Sequence, residues 1–346
     1  MKASYFKHTL KFKRPSGTSR GVLKTKESWF IKIETEDKFG IGECGLLKGL
    51  SIDRVDDYED TLKWVCERIH LGLEKLYSEL NDFPSIQFGL EMAFESFSSA
   101  DPYLLFPSKF TDGKQGMKIN GLIWMGEKSY MKSQIQEKIQ QGFSCIKLKI
   151  GAIDFESELE LLKYIRSEFS VTDIELRVDA NGAFAPDDAL DKLNRLSEFN
   201  LHSIEQPIAQ GQWQDMAELC DKTPLSIALD EELIGLKDVT NKQKALLTIQ
   251  PQFIILKPSL IGGFQGAREW INLANESNID WWMTSALESN IGLNAIAQFT
   301  FIQNNNMPQG LGTGGLYTNN IESPLEIEGE EIMYNPNLKW ENKFNL

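Results

Sequence analysis

Five short apolar runs in this chain each end in charge. The first, Cys145–Gly151 (CIKLKIG), alternates Lys147 and Lys149 with Ile146, Leu148 and Ile150. In a strand, residues i and i+2 share a face, so both ammonium groups point the same way. Alone, this is also what an edge strand with a solvated lysine face would show. Four more runs follow: ELRVDAN, LHSIEQP, LSIALDEE and FIILKPS, which carry Asp179, Glu205, Asp230 and Lys257. Three converging carboxylates would repel and raise one another's pKa values. A hard divalent cation removes that conflict, and three oxygen ligands with retained waters suit Mg²⁺, for which Mn²⁺ can substitute. Cys and His are absent from these run ends, which argues against zinc. A single acidic residue after a strand is more often a helix N-cap; three on successive strands favour a metal site.

The chemistry such a set supports is proton abstraction next to a carboxylate. A carboxylate substrate held by the ion has its α-proton acidified, because the ion stabilises the enediolate left behind. A lysine takes that proton only when neutral. A second ammonium at Lys147 and a nearby cation both work against charge on Lys149. Lys257 is then either a second acid/base or a fixed cation on the opposite face of the substrate.

The elements that must position these residues follow from their spacing. From Lys149 to Lys257 the charged residues are 30, 26, 25 and 27 positions apart. One strand, one helix and their loops take about 30 residues, and charge at the carboxyl end of each strand is the pattern of a (β/α)₈ barrel of the TIM type. The predicted barrel strands are Met117–Trp124, CIKLKIG, ELRVDAN, LHSIEQP, LSIALDEE, FIILKPS, a seventh within Asp280–Ser289 and an eighth at Gln309–Gly315. Helices are predicted over Ser129–Gln141, over Phe155–Phe169 with Asp154 as N-cap, from Pro186, and over the apolar Ile291–Phe299. Strands two and six are diametrically opposite in a barrel of eight, so Asp179, Glu205 and Asp230 span the arc between the two lysines.

The first hundred or so residues lack this period. Tyr5–Lys13 and Ser28–Thr35 read as strands, Arg14–Gly21 (RPSGTSRG) as a loop, and Asp37–Gly45 as a turn with a third strand. Val55–Glu79 and Ser85–Ser98 have helical spacing. The expected organisation is an α+β capping domain over residues 1–115, completed by 322–346, and a barrel over 116–321.

With 346 residues, the chain suits one barrel of about 250 residues plus a smaller companion. A net charge of −14 argues against nucleic acid and anionic membranes as partners. A small-molecule carboxylate must then be held by local cations. Cys44, Cys66, Cys145 and Cys220 are scattered without a CxxC and read as buried thiols in a reducing compartment. With neither an apolar leader nor a run of 18 apolar residues, the expected location is cytoplasmic. Oligomeric state is not legible.

This constellation resembles the enolase superfamily, in which a lysine base works with magnesium. The resemblance covers nearly the whole chain: the GxGE turn (Gly40, Gly42, Glu43), the KxK pair, the Asp, Glu and Asp set, and the strand-six lysine. That lysine is similar to the muconate-lactonizing subgroup. The histidines are His8, His70 and His202, so the late-strand histidine of the mandelate-racemase type is missing. More narrowly, RVDAN, TSALES and GLGTGG resemble the o-succinylbenzoate synthase family of menaquinone biosynthesis. That resemblance implies dehydration of 2-succinyl-6-hydroxy-2,4-cyclohexadiene-1-carboxylate, with Lys149 as base and then acid and Lys257 as the opposing cation. The nearest rivals are dipeptide epimerases and N-succinylamino acid racemases, which would use both lysines for 1,1-proton transfer. The epimerases usually carry a DxD motif after strand eight, and Leu311–Asn319 has no acidic residue.

Weaker candidates for the substrate pocket are Arg14, Arg20, Ser285, Glu288, Gly312 and Thr313. Arg177, Asn181 and Glu231 are candidates for supporting the carboxylates, Arg177 because it shares a strand face with Asp179. Two other classes stay open. A Schiff-base aldolase would use Lys149 or Lys257 as nucleophile but leaves three carboxylates unexplained. An inactive barrel serving as a binding protein would be expected to have lost part of the charged set.

Overall fold

The computed structural model describes residues 1–18, 21–124, 126–342 and 344, with only the backbone described for 16–18. The chain opens with a long antiparallel hairpin, β1 (Lys2–Thr18) and β2 (Gly21–Glu34), to which β3 (Phe39–Cys44) adds antiparallel to β2. The predicted RPSGTSRG loop is mostly strand. Pairing continues to Thr18 opposite Gly21, and a register shift between Lys11 and Ser16 absorbs Pro15, which has no N–H to give the ladder. The helix expected over Val55–Glu79 is two, α1 (Tyr58–Glu67) and α2 (Leu73–Glu79), separated by a 3₁₀ turn at Ile69–Leu71 that ends on Gly72. Next, α3 (Pro84–Ser98) lies directly on β3: a Cβ added at Gly42 would stand 1.9 Å from the Gly89 carbonyl oxygen. The glycines of the GxGE turn are there because two backbones touch.

The barrel follows: β4 (Met117–Lys118), β5 (Gly121–Ile123), α4 (Lys128–Gln140), β6 (Cys145–Lys149), α5 (Phe155–Glu168), β7 (Glu175–Asp179), α6 (Pro186–Ser197), β8 (Ser203–Glu205), α7 (Trp213–Lys222), β9 (Ile227–Leu229), α8 (Val239–Ile249), β10 (Phe253–Leu256), α9 (Pro258–Ile261), α10 (Gly263–Glu276), β11 (Asp280–Met283) and α11 (Asn290–Ile302). Seven strands, β5 to β11, form one parallel sheet in sequence order. The expected eighth strand is reduced to two residues. Gln309 bridges to Ile119 and Gly310 to Thr284, both parallel, which joins the two edges of the sheet. The first strand is also shorter than predicted, because Met117 and Lys118 pair elsewhere.

Their partner is the C-terminal hairpin, β12 (Leu325–Glu328) and β13 (Glu331–Tyr334), with β13 antiparallel to β4. Beyond it Trp340 stacks on Tyr103 at 4.4 Å, and Phe344 reaches the N-terminal sheet, 4.7 Å from Phe6 and 5.3 Å from Phe30. Asp154 caps α5 as the sequence predicts, accepting from the Ser157 amide at 3.0 Å. The apolar helix α11 is buried along nearly its whole length, as a helix without a polar face must be. No helix among the described residues is long and apolar enough to cross a membrane.

Candidate functional site

The parallel register sets the candidate residues side by side. Lys149 pairs with Asp179, and Asp179 with Glu205, at the carboxyl ends of β6, β7 and β8. Asp230 follows β9, and Lys257 is the N-cap of α9 directly after β10. All are buried or nearly so. Lys147 Nζ donates to Glu205 Oε2 at 2.6 Å and lies 3.4 Å from Asp179 Oδ2. Lys149 Nζ donates to Asp179 Oδ2 and to Asn181 Oδ1, each at 2.8 Å. Lys257 Nζ is hydrogen-bonded to Asp230 Oδ2.

The charge argument made from the sequence needs correcting. Each carboxylate is paired with a lysine, so the repulsion expected among the three is relieved at Asp179 and persists at Glu205. Among the described residues no three Asp, Glu, His or Cys groups form a ready-made metal cluster. Burial works against the Asp179 carboxylate, but Lys149 and Lys147 outweigh it and hold its pKa far below the usual range. Burial likewise opposes the charge of Lys147 and of Lys257, and the carboxylates beside them win, so both pKa values are raised. Glu205 goes the other way. Its burial, with Asp179 and Asp230 close by, outweighs Lys147 and pushes its pKa well up. Its second oxygen, Oε1, is buried without a hydrogen-bond partner. A buried carboxylate oxygen with no donor is what a cation would satisfy.

Asn181 and Glu231 belong to the site. Asn181 adopts φ of 46°, its amide donates to Asp179 Oδ1 at 3.0 Å, and its Nδ2 donates to Glu231 Oε1 at 3.1 Å. Arg177 does not. It shares a strand face with Asp179 but sits two residues nearer the strand's start. There Nε donates to Glu175 at 2.8 Å, Nη1 to the Pro308 carbonyl at 2.9 Å, and the guanidinium lies 4.3 Å from the Trp282 ring. It plugs the opposite end of the barrel.

A cavity of about 210 Å³ opens over Lys147, Lys149, Asp179, Glu205 and Lys257. Ser285, Gly312 and Thr313 line it as expected, with Ser285 Oγ and Thr313 Oγ1 2.6 Å apart. Glu288 does not line it: the side chain is fully buried behind the wall, bonded to Ser259 Oγ at 2.5 Å and the Ala286 amide at 2.8 Å. Arg20 lies outside the described residues, and Arg14 lines a neighbouring cavity of about 590 Å³. The lining that sequence reasoning missed is largely apolar: Leu23, Leu47 and Leu50 from the N-terminal segment, with Trp124 and Leu287 from the barrel. The one available signal was GLLKGL, an apolar run right after the GxGE turn with neither helical nor strand period.

Fold and site together define the capped barrel of the enolase type. The family model described as enolase C-terminal domain-like matches residues 130–335, and that described as the MenC N-terminal domain matches residues 1–97. An o-succinylbenzoate synthase of Desulfotalea psychrophila is 47% identical over 95% of this chain and 98% of its own. The solved structure of MenC from that organism superposes with a TM-score of 0.86 at 43% identity, covering 96% of this chain and 99% of that one. A dipeptide epimerase of Enterococcus faecalis, solved with Mg and the dipeptide L-Leu-L-Tyr, shares the fold at a TM-score of 0.84 and 19% identity, covering 96% of each chain. The chain belongs to the o-succinylbenzoate synthase family of the enolase superfamily.

Proposed function

We propose that this enzyme catalyses the dehydration of 2-succinyl-6-hydroxy-2,4-cyclohexadiene-1-carboxylate to o-succinylbenzoate, with Lys149 as base and then acid. The observation that carries the site assignment is the pairing of Lys149 and Lys257 with two different carboxylates across one cavity, supported by 47% identity to a synthase over nearly the full chain. Asp179, Glu205 and Asp230 would hold a divalent cation, Mg²⁺ or Mn²⁺. The fit rests on the partnerless Glu205 Oε1 and on the oxygen-only donor set. Bound there, the ion supplies Lewis acidity to a substrate carboxylate and so lowers the cost of removing its α-proton.

The chain's own residues do the rest. Lys147 neutralises Glu205 and leans toward Asp179, which fixes both carboxylates. Lys149 takes the proton and returns it to the departing hydroxyl on the same face, so one group serves both steps of a syn elimination. Lys257, from the facing strand, stabilises the negative charge that develops between the two. The apolar lid of Leu23, Leu47 and Leu50 excludes water and strengthens these electrostatic terms. We take residues 1–115 with 322–346 as the capping unit and 116–321 as the catalytic barrel. Loss of the diene absorbance on adding the cyclohexadiene substrate to purified enzyme with Mg²⁺, with an aromatic product formed, tests the reading; no aromatic product would end it.

A further inference from the structure

Behind the pocket wall lies a buried carboxylate that the mechanism above does not use. Glu288 is fully buried. Its Oε1 accepts from Ser259 Oγ at 2.5 Å, and its Oε2 accepts from the Ala286 amide at 2.8 Å. Ser259 stands two residues beyond Lys257, in the first turn of α9, and that turn is closed by the Leu260 amide on the Lys257 carbonyl at 2.8 Å. Ala286 lines the pocket at the end of the neighbouring strand. One carboxylate therefore ties the turn that carries Lys257 to the wall next to it.

The N-terminal segment packs onto this joint. A Cβ added at Gly45 would stand 2.7 Å from Ser259 Oγ and 3.1 Å from Glu288 Cγ, so the chain that leads into the apolar lid rests on both residues. Lys26, buried on β2, is close enough for its charge to act on Glu43 and Glu288. Glu43 does not compete for Ser259. It is taken up by the start of α11, accepting from the Ser289 amide at 2.9 Å, Ser289 Oγ at 2.5 Å and the Gly292 amide at 2.9 Å. Burying a carboxylate costs free energy that an apolar side chain of the same size would not. What it gives in return here is geometry.

We propose that Glu288 is a positioning residue for Lys257: through Ser259 it fixes the turn that aims the ammonium across the pocket, and through Ala286 it holds the adjoining wall in register. With Gly45 seated on the same joint, the lid and the lysine are set together. This rests on the reading of Lys257 as the cation facing Lys149.

The test uses Ser259→Ala, Glu288→Ala and the double variant, with wild-type turnover measured first to decide the reaction itself. A misplacement of about 1 Å can cost 10²-fold, so a loosened turn should lower kcat by about 10-fold or more in Ser259→Ala with KM held, assayed well below a Tm that falls because Glu288 Oε1 loses its donor. The double variant should be no slower than Glu288→Ala, because both act through one link. Glu288→Gln, which can accept from Ala286 and donate to Ser259 Oγ, should recover most of kcat. A second readout needs no turnover: acetic anhydride should label Lys257 faster in Ser259→Ala than in wild type while Lys149 keeps its rate, as read by peptide mass spectrometry. Unchanged labelling of Lys257 overturns the proposal, whether kcat is intact or falls together with Tm. An inactive wild type would count against the reaction, and the labelling would still decide the clamp.

Discussion

Lys147 holds one oxygen of Glu205 at 2.6 Å, and the other oxygen of the same carboxylate is buried without a partner. A lysine that satisfied the whole carboxylate would make the site self-sufficient. Half-satisfied, Glu205 keeps one carboxylate oxygen without a donor, close enough to Asp179 and Asp230 to feel their charge. Activity should vanish with EDTA and return with Mg²⁺ or Mn²⁺. Glu205→Gln should lower kcat by at least about 10²-fold, the usual cost of one charge-stabilising contact at a reacting centre. Turnover at the wild-type rate in chelated protein would remove the metal from the mechanism.

Gly42 and Gly89 bring β3 and α3 into backbone contact, and there is no room for a methyl group between them. Gly42→Ala would push its Cβ to 1.9 Å from the Gly89 oxygen. Overpacking of this kind costs about 1–3 kcal/mol or more, and here the obstacle is backbone, which cannot swing aside. Urea unfolding should show a lower midpoint with an unchanged slope. Equal midpoints for variant and wild type would mean that the two elements part easily.

Asp53 supplies a pH dependence far from the candidate site. Burial pushes its pKa up to about 7, even though Ser85 donates to Oδ1 from both Oγ, at 2.7 Å, and its amide, at 3.1 Å. An unfolded aspartate titrates near 3.9. Below about pH 4 both states carry the proton and its contribution is fully present. Between about pH 4 and pH 7 the folded state keeps a proton that the unfolded state has lost, so stability falls as pH rises, by up to about 4 kcal/mol. Asp53→Asn should flatten that part of the Tm–pH curve. A slope identical to wild type from pH 4 to 8 would show that the carboxylate is ionised in the fold throughout.

The barrel strands and their charged ends were legible because a parallel strand covered on both faces is a short apolar run, and nothing in packing asks for Asp179, Glu205 or Asp230 at its end. The counter-ions were legible as residues but not as pairs. Register decides that Lys147 reaches Glu205, not Asp179 alone, and register is not written in a run of five residues. Arg177 misled for the same reason: sharing a face with Asp179 does not fix its height along the barrel. Glu288 read as a pocket residue and Glu43 only as part of the GxGE motif, since an acidic side chain gives no sign in sequence of being buried against a helix start. The lid residues Leu47 and Leu50 and the bridge from Gln309 to Ile119 that closes the barrel depend on contacts between distant parts of the chain.

The two lysines separate the dehydration from its rivals. In 1,1-proton transfer both faces of the reacting carbon exchange a proton, so Lys149 and Lys257 must each act as acid and base. In a syn elimination the proton and the hydroxyl leave from one face, and a single lysine suffices. Lys149→Ala should abolish dehydration, and Lys257→Ala should do the same through loss of the opposing cation. Lys257→Arg is the informative variant, because arginine keeps the charge but does not deprotonate at accessible pH. It should retain part of the dehydration and lose any racemisation of an N-succinyl amino acid. The measurement is both reactions in D₂O, with product formation followed for the cyclohexadiene and α-deuterium uptake for the amino acid. Deuterium exchange and racemisation persisting in Lys257→Arg would show that the group after β10 is not the second acid/base. Efficient racemisation by the wild type with no dehydration at all would move the enzyme to the racemase side of its superfamily.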